Sequence, residues 1–319
     1  LKPRLLITRP MPPAVKAAAE AEFDLTLRGK TTPMLPAELV ASLREYDMVM
    51  PTLGDRYSSE VFAAVPRPRC RLLANFGMGY NHIDVLAAQA AGVAVTNTPG
   101  AVTDATADIG VMLMLMSARR ASEGERMVRA GRWAGWHPTE MLGLHLTGKT
   151  VGILGMGRIG RAVARRCQRG FDMQVVFFNR SPVPDPGVPA EQLPTLHEVM
   201  ARADVVVVTM AATPETRHLI DAAALAAMQP HAHLVNIARG DLVDEAALIA
   251  ALEAGQIAGA GLDVYEHEPQ VPEALRRLEN VSLLPHLGTA THEVREAMGM
   301  VALDNLRAFA AGQPLPNRV

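Results

Sequence analysis

The sequence predicts an α/β protein built from two doubly wound parallel-sheet domains. Three observations predict this. Short apolar segments alternate with helical ones along nearly the whole chain, the pattern of a parallel sheet covered on both faces. A length of 319 residues suggests about two domains. A G-x-G-x-x-G turn, made by Gly155, Gly157 and Gly160 in GILGMGRIG, follows an apolar run and opens a helical segment, which is the context in which such a turn binds a dinucleotide.

Composition narrows the function classes. Apolar residues make up 49% of the chain and support a large core. A net charge of −2 leaves no basic footprint for nucleic acid. The longest apolar run, residues 109–116, falls far short of the roughly 20 residues that span a bilayer, and nothing resembles a secretory signal, so a cytoplasmic protein is expected. Leu1 stands where a Met would start the chain, which points to a preceding residue or tag. Cys70 and Cys167 show no metal or redox spacing and read as reduced core residues.

In the first hundred residues, strands are expected at 4–8, 23–27, 47–50, 71–74 and 93–96, with helices near 13–22, 36–44, 58–64 and 83–91. NFGMGYNHID, residues 75–84, directly follows a strand. Ligands in such sheets sit at the carboxyl ends of strands, and Gly77 and Gly79 could turn backbone N–H groups toward an anion. A plain strand-to-helix connection reads equally well.

Asn97-Thr98-Pro99-Gly100 breaks the pattern, and the domain crossover is placed near residues 97–103. A long helix follows, capped by Thr103 or Asp104, apolar over 105–118 and charged over 119–132. Met112, Met114 and Met116 read as core packing. Residues 133–148, with Trp133, Trp136 and Pro138, read as an arm, either packed on its own domain or forming a subunit contact.

The second lobe carries six expected strands, at 150–154, 174–178, 205–209, 233–237, 259–264 and 281–284, and helices at 158–169, 196–201, 222–228 and 244–254. The proline-rich 181–194 is expected on the surface. A last helix, from Thr291 to about residue 311, is expected to return to the first lobe. Within the glycine turn, Gly155 permits the tight bend, Gly157 lets backbone approach a pyrophosphate and Gly160 lets the helix pack on the strand. The helix N-terminus offers unpaired N–H groups to the phosphates.

Where NAD-binding folds place an Asp or Glu on the ribose 2′-hydroxyl, the sequence reads Phe178-Asn179-Arg180-Ser181. Asn179 carries no charge to repel a 2′-phosphate. Arg180 can pair with that phosphate and Ser181 can donate to it. Asp185 lies too far along to substitute. A preference for NADPH is therefore expected, with NAD possible.

Arg239 in NIARGDLVD, Glu268 in GLDVYEHEP and His286 in LLPHLGTAT each follow a second-lobe strand, so all three are expected at the carboxyl edge of one sheet. His197, His218, His231, His233 and His292 form no metal spacing. His82 and His267 lie near the anion loop and Glu268, respectively.

These motifs, FGMGYNHID, NTPGAVTDATAD, GILGMGRIG, HLVNIARGDLVDE, GLDVYEHEP and LLPHLGTAT, resemble the D-isomer-specific 2-hydroxyacid dehydrogenases in order and spacing, over essentially the whole chain. Among members the chain is most similar to the glyoxylate and hydroxypyruvate reductases, chiefly through NRS after the second strand. The resemblance implies a Rossmann cofactor domain, residues 100–289, inserted in a flavodoxin-like substrate domain, residues 1–99 and 290–319. It implies that His286 protonates the carbonyl oxygen as hydride arrives, that Glu268 orients His286 and favours imidazolium, and that Arg239 binds the substrate carboxylate. Backbone groups at Met78 and Gly79 would hold the rest of the carboxylate. Thr103, Asp263 and Gly288 would meet the nicotinamide end, Met156, Arg158 and Ile159 the pyrophosphate, and Ala238 and Met210 the cofactor cleft. A homodimer with its contact in the 100–148 region and closure of the two lobes are also implied.

Other readings stay open. Formate dehydrogenases share the fold but pair the histidine with Gln, and Glu268 argues against them. A dehydrogenase for another 2-hydroxy acid using NAD is an alternative. So is a non-catalytic NAD(P)-sensing protein, though no extension beyond residue 319 supports it. The sparse Lys and Arg in the first-lobe loops favour a small acid over a phosphorylated one.

Overall fold

The structure is a computed structural model describing residues 2–319, so Leu1 lies outside the described residues. The chain divides into two compact units, Leu1–Val102 with Ala290–Val319, and Thr103–Thr289.

The first unit alternates β1 (Arg4–Ile7), α1 (Pro13–Glu22), β2 (Asp24–Leu27), α2 (Pro36–Glu45), β3 (Met48–Met50), α3 (Ser59–Ala63), β4 (Leu72–Ala74), α4 (Val85–Ala90) and β5 (Ala94–Thr96). The strands are parallel in the order β2-β1-β3-β4-β5, the flavodoxin-like order. Successive side chains point to opposite faces of a strand. Leu5, Ile7, Met48, Met50 and Leu72 accordingly enter one core, and Leu6, Val49, Leu73 and Val95 the other.

The second unit opens with α5 (Thr103–Ala118) and α6 (Ala121–Arg129), then runs β6 (Thr150–Leu154), α7 (Arg158–Phe171), β7 (Gln174–Phe178), β8 (Glu191–Gln192), α8 (Leu196–Arg202), β9 (Val205–Val208), α9 (Ala222–Ala226), β10 (His233–Asn236), α10 (Glu245–Glu253), β11 (Gly259–Leu262), α11 (Glu273–Arg277) and β12 (Val281–Leu283). Its parallel sheet has the order β12-β11-β10-β9-β6-β7-β8. Counted from β6 this is the 3-2-1-4-5-6 order of a doubly wound dinucleotide fold with one strand added. The order reverses between β6 and β9, and the glycine turn follows β6. Val205 and Val207 pack on the face covered by α5 and α7, Val206 and Val208 on the other.

The last helix, α12 (His292–Ala310), belongs to the first unit. It approaches α1 so closely that a Cβ on Gly299 would collide with the Val15 side chain.

Two expectations are corrected. The second-unit sheet has seven strands, not six: within the proline-rich stretch, Glu191–Gln192 adds to the edge of β7. The Gln192 amide donates to the Asn179 and Ser181 carbonyls, a polar anchor that hydrophobic patterning does not signal. The long helix after residue 103 is two helices. Arg120 takes a left-handed conformation, φ 52°, and its guanidinium forks onto Glu123 at 2.7 and 2.8 Å. Thr103 is the first residue of α5.

Cys70 and Cys167 are buried and free, and burial pushes both thiols up to about 12. Among the described residues no helix is long and apolar enough to cross a membrane.

Candidate active site and cofactor cradle

The three glycines after β6 do different work. Gly155 sits at φ +101°, and a Cβ there would lie 2.7 Å from the Met210 backbone, so both conformation and the Met210 loop demand glycine. Thr209 Oγ1 donates to the Gly155 carbonyl at 2.7 Å. A Cβ on Gly160 would collide with that same carbonyl, so α7 docks directly on the turn. Gly157 has open space where its Cβ would be and is the N-cap of α7 without a side-chain cap. The first N–H groups of a helix have no intrahelical partner. Those of Arg158, Ile159 and Gly160 therefore stand at the positive end of a 14-residue helix with no acidic residue in its first turn. This cradle fits a dinucleotide pyrophosphate. Met156 contributes differently from expectation: its side chain is buried, and its N–H goes to Asn179 Oδ1 at 3.2 Å.

Asn179 is thus a brace. Its amide also donates to the Ser181 carbonyl at 2.9 Å. Arg180 and Ser181 are exposed beside it, and the Asp185 carboxylate accepts from the Gly187 N–H of its own turn. The Glu215 carboxyl is held below its ordinary value, chiefly by the Thr213 hydroxyl and in part by the charge of Arg180. The charge of Arg180 is therefore felt at Glu215, in the loop after β9.

At the end of β10, buried Asn236 shapes the turn that carries Arg239. Asn236 Nδ2 donates to the Arg239 carbonyl at 2.8 Å, and its Oδ1 accepts from the Ala238 N–H at 3.0 Å. The Arg239 guanidinium donates through Nη1 to the Ala238 carbonyl at 2.6 Å. Burial lowers its pKa, opposed by the negative charges of Glu268 and Asp241. A planar guanidinium, with its fork of N–H donors, is suited to bind a carboxylate at this edge.

At the end of β12, His286 sits at φ 55°, and its Nδ1 meets Glu268 Oε2 at 2.8 Å. The second Glu268 oxygen accepts from the Tyr265 N–H at 3.1 Å. Burial pushes the Glu268 carboxyl up, but the His286 bond and charge, the Tyr265 N–H and the charge of Arg239 outweigh it and hold it below the usual range. Both side chains are 29% exposed, so Nε2 remains the nitrogen able to exchange a proton. The His286 turn is fixed by Asp263, whose carboxylate accepts from the Leu287 N–H at 2.6 Å and the Gly288 N–H at 2.8 Å. Burial raises the Asp263 pKa, with those two N–H groups opposing. The Gly288 carbonyl accepts from Thr106 Oγ1. Asp263 and Gly288, expected at the nicotinamide end, are engaged with each other.

Arg239, Glu268 and His286 are therefore brought together at one edge of one sheet, with the glycine cradle, Met210 and Ala238 in the same unit. Met78 and Gly79 belong to the other unit. Their loop is organised by fully buried Asn75, whose amide donates to the Gly77 and Gly79 carbonyls, both at 3.0 Å. His82, near the same loop, bonds Asn75 Oδ1 through Nε2 at 3.0 Å. Sequence reasoning missed Asn75, Asn236 and Tyr265. Each lies inside a motif that was read for its neighbours, and a buried amide leaves no periodic signal. Among the described residues no cluster of three or more His, Cys, Asp or Glu is placed to hold a metal ion.

Comparison with known proteins agrees with this geometry. Residues 111–288 match the family described as D-isomer specific 2-hydroxyacid dehydrogenase, NAD binding domain. A glyoxylate reductase of Pyrococcus furiosus is 42% identical over 325 aligned residues, covering 100% of this chain and 96% of the relative. A solved Thermus thermophilus protein is 40% identical with a TM-score of 0.90, covering 99% of each chain. An NADPH-dependent glyoxylate/hydroxypyruvate reductase of Sinorhizobium meliloti, solved with NADP and malonate, is 36% identical with a TM-score of 0.88, covering 100% of this chain and 97% of that one. A cradle for a dinucleotide, an arginine and a histidine–glutamate pair on one sheet edge, and full-length likeness to these proteins place the chain among the D-isomer-specific 2-hydroxyacid dehydrogenases.

Proposed function

We propose that the protein is an NADPH-preferring reductase of small 2-oxo acids, glyoxylate and hydroxypyruvate foremost, yielding D-2-hydroxy acids. The observation that carries this is the 2.8 Å His286–Glu268 bond beside the half-buried Arg239. When bound, the nicotinamide supplies a hydride to the carbonyl carbon. Arg239 takes the substrate carboxylate and polarises the adjacent carbonyl. His286, with Nδ1 tied to Glu268, delivers a proton from Nε2 to the carbonyl oxygen. The imidazole is then recharged from solvent while Glu268 keeps its orientation. Met78 and Gly79 are proposed to offer backbone N–H groups to the carboxylate, Thr103 to meet the cofactor's nicotinamide end, and Ala238 and Met210 to line the cofactor cleft.

The NADPH preference rests on Asn179, Arg180 and Ser181, with no carboxylate at the end of β7. The names of the relatives support the substrate class, and the NADP complex of the Sinorhizobium meliloti protein supports the cofactor. A cytoplasmic homodimer completes the reading. Trp133 and Trp136, 54% and 80% exposed, are apolar side chains of the 133–148 arm proposed to meet a second copy. Initial rates on a panel of 2-oxo acids with NADPH and with NADH test the proposal. Turnover of glyoxylate or hydroxypyruvate, faster with NADPH, is expected. An NADH preference overturns the cofactor reading, and inertness toward both acids overturns the substrate reading.

A further inference from the structure

Beyond the reacting groups, a second ionic cluster stands at the same sheet edge. Glu266 Oε1 accepts from Arg217 Nη2 at 2.8 Å and bonds His218 Nε2 at 2.7 Å. The Glu266 side chain is only 11% exposed. Its own N–H is directed at Glu245 Oε1, 3.4 Å away. Glu245 is itself buried, and burial, together with the charge of Glu266, raises its pKa. Two adjacent residues of the loop after β9 thus grip one carboxylate in the loop after β11.

The cluster joins three loops. The His218 N–H donates to the Asp241 carbonyl at 2.8 Å, and Ile220 and Val243 form a parallel bridge, tying the β9 loop to the loop of Arg239. Gly240, next to Arg239, packs so tightly on the Tyr265–Glu266 peptide that any Cβ would collide with it. Tyr265, adjacent to Glu266, gives its N–H to Glu268 and its hydroxyl to the Leu284 carbonyl at 2.8 Å, close in sequence to His286. His218 adopts φ 51°, a conformation that is costly for a residue with a Cβ, and the bond to Glu266 offsets that cost.

We propose that Arg217 and His218 clamp Glu266 as a positioning device that sets the 265–268 backbone, and so the seat of Glu268 on His286. None of the three touches the reacting atoms. The device works because a misplacement of about 1 Å in a catalytic group costs on the order of a hundredfold in rate. It also links the loop that lines the glycine turn, through Met210, to the proton-transfer pair. The inference rests on the catalytic roles proposed above for Glu268 and His286.

The test compares wild type, Glu266→Gln, His218→Gln and the double variant. At Glu266, Gln keeps the shape and one hydrogen bond but removes the charge; at His218 it replaces the imidazole with a neutral amide of similar reach. Turnover is measured across pH on whichever 2-oxo acid the wild type reduces. The His286 imidazole is also titrated by NMR in the apo protein, which needs no turnover. The other charged groups around that pair are Asp263 and Arg239. Each single variant is expected to lower kcat about tenfold, to leave the NADPH Kd within about twofold, and to shift the His286 titration and the alkaline limb of kcat downward by about half a pH unit or more. The double variant should be no worse than the worse single one, because both changes break one device. A lowered Tm with kcat within twofold and an unmoved His286 titration would reduce the cluster to a structural ion pair and overturn the proposal. Wild-type inertness toward glyoxylate would instead overturn the substrate reading, and the NMR comparison would still decide this one.

Discussion

Glu268 and His286 leave different strands of one parallel sheet, yet Glu268 Oε2 and His286 Nδ1 meet at 2.8 Å. The pairing is held from both sides, by the Tyr265 N–H on Glu268 and by the grip of Asp263 on the turn after His286. General acid–base catalysis by such a pair contributes about 10²–10⁴-fold. His286→Ala should therefore lower kcat by about that factor and leave NADPH binding unchanged, measured by nucleotide fluorescence. Glu268→Gln should cost less, roughly ten- to a hundredfold. Loss of nucleotide binding with turnover intact would contradict the assignment.

Arg239 is expected to act in both ground and transition states. Arg239→Lys keeps the charge but loses the planar fork. KM for the 2-oxo acid should rise and kcat should fall together, with kcat/KM down by about a hundredfold or more. Ordinary keto-acid kinetics in this variant would remove Arg239 from the site.

The residues at the end of β7 predict a reciprocal pair of effects. Arg180→Ala removes a charge-assisted bond and should raise the KM for NADPH about tenfold or more while sparing NADH. Asn179→Asp keeps an oxygen for the Met156 N–H but adds a negative charge, and should move preference toward NADH. Side-by-side kinetics with the two nucleotides read both.

Two glycines of one turn should fail in different ways. Gly157→Ala places its methyl in open space. It should change the Tm little and weaken NADPH binding, because the methyl intrudes where phosphate approaches. Gly160→Ala drives a methyl into the Gly155 carbonyl and should lower the Tm markedly. Calorimetry and nucleotide titration separate the two, and equal Tm losses would contradict the cradle.

Stability should fall in mild acid. His233 is buried with Nδ1 against Ser117 Oγ at 2.8 Å, and burial, aided by the charge of His231, pushes its imidazole down to about 4. Between about pH 6.5 and pH 4 the unfolded chain then binds a proton that the folded one refuses. Stability is complete above that window and lost as pH falls through it, by on the order of 3 kcal/mol. Urea unfolding at pH 4 to 7 should show this slope, and His233→Asn should flatten it. An unchanged slope would exclude His233 as its source.

Local chemistry and order determined much of this protein. Apolar segments of strand length, a G-x-G-x-x-G bounded by strand and helix, and single polar residues placed after strands suffice to predict two parallel sheets and the edge where Arg239, Glu268 and His286 emerge. Each is a signal carried by neighbours in the chain, because strand periodicity and turn stereochemistry act over a few residues. Only the tertiary structure decided what holds those groups. Asn236 acts through local amide bonds that leave no periodic signal. Asp263, the Tyr265 hydroxyl and the Arg217–His218–Glu266 cluster act through partners distant in sequence. So does the edge strand at Glu191–Gln192, whose pairing depends on polar anchors. The break at Arg120 escaped for a related reason: helical composition continues across it, while a left-handed residue and its bond to Glu123 end the helix. Hydrogen bonds between separate loops are set by how the strands are ordered in the sheet, and that order is a property of the packed chain.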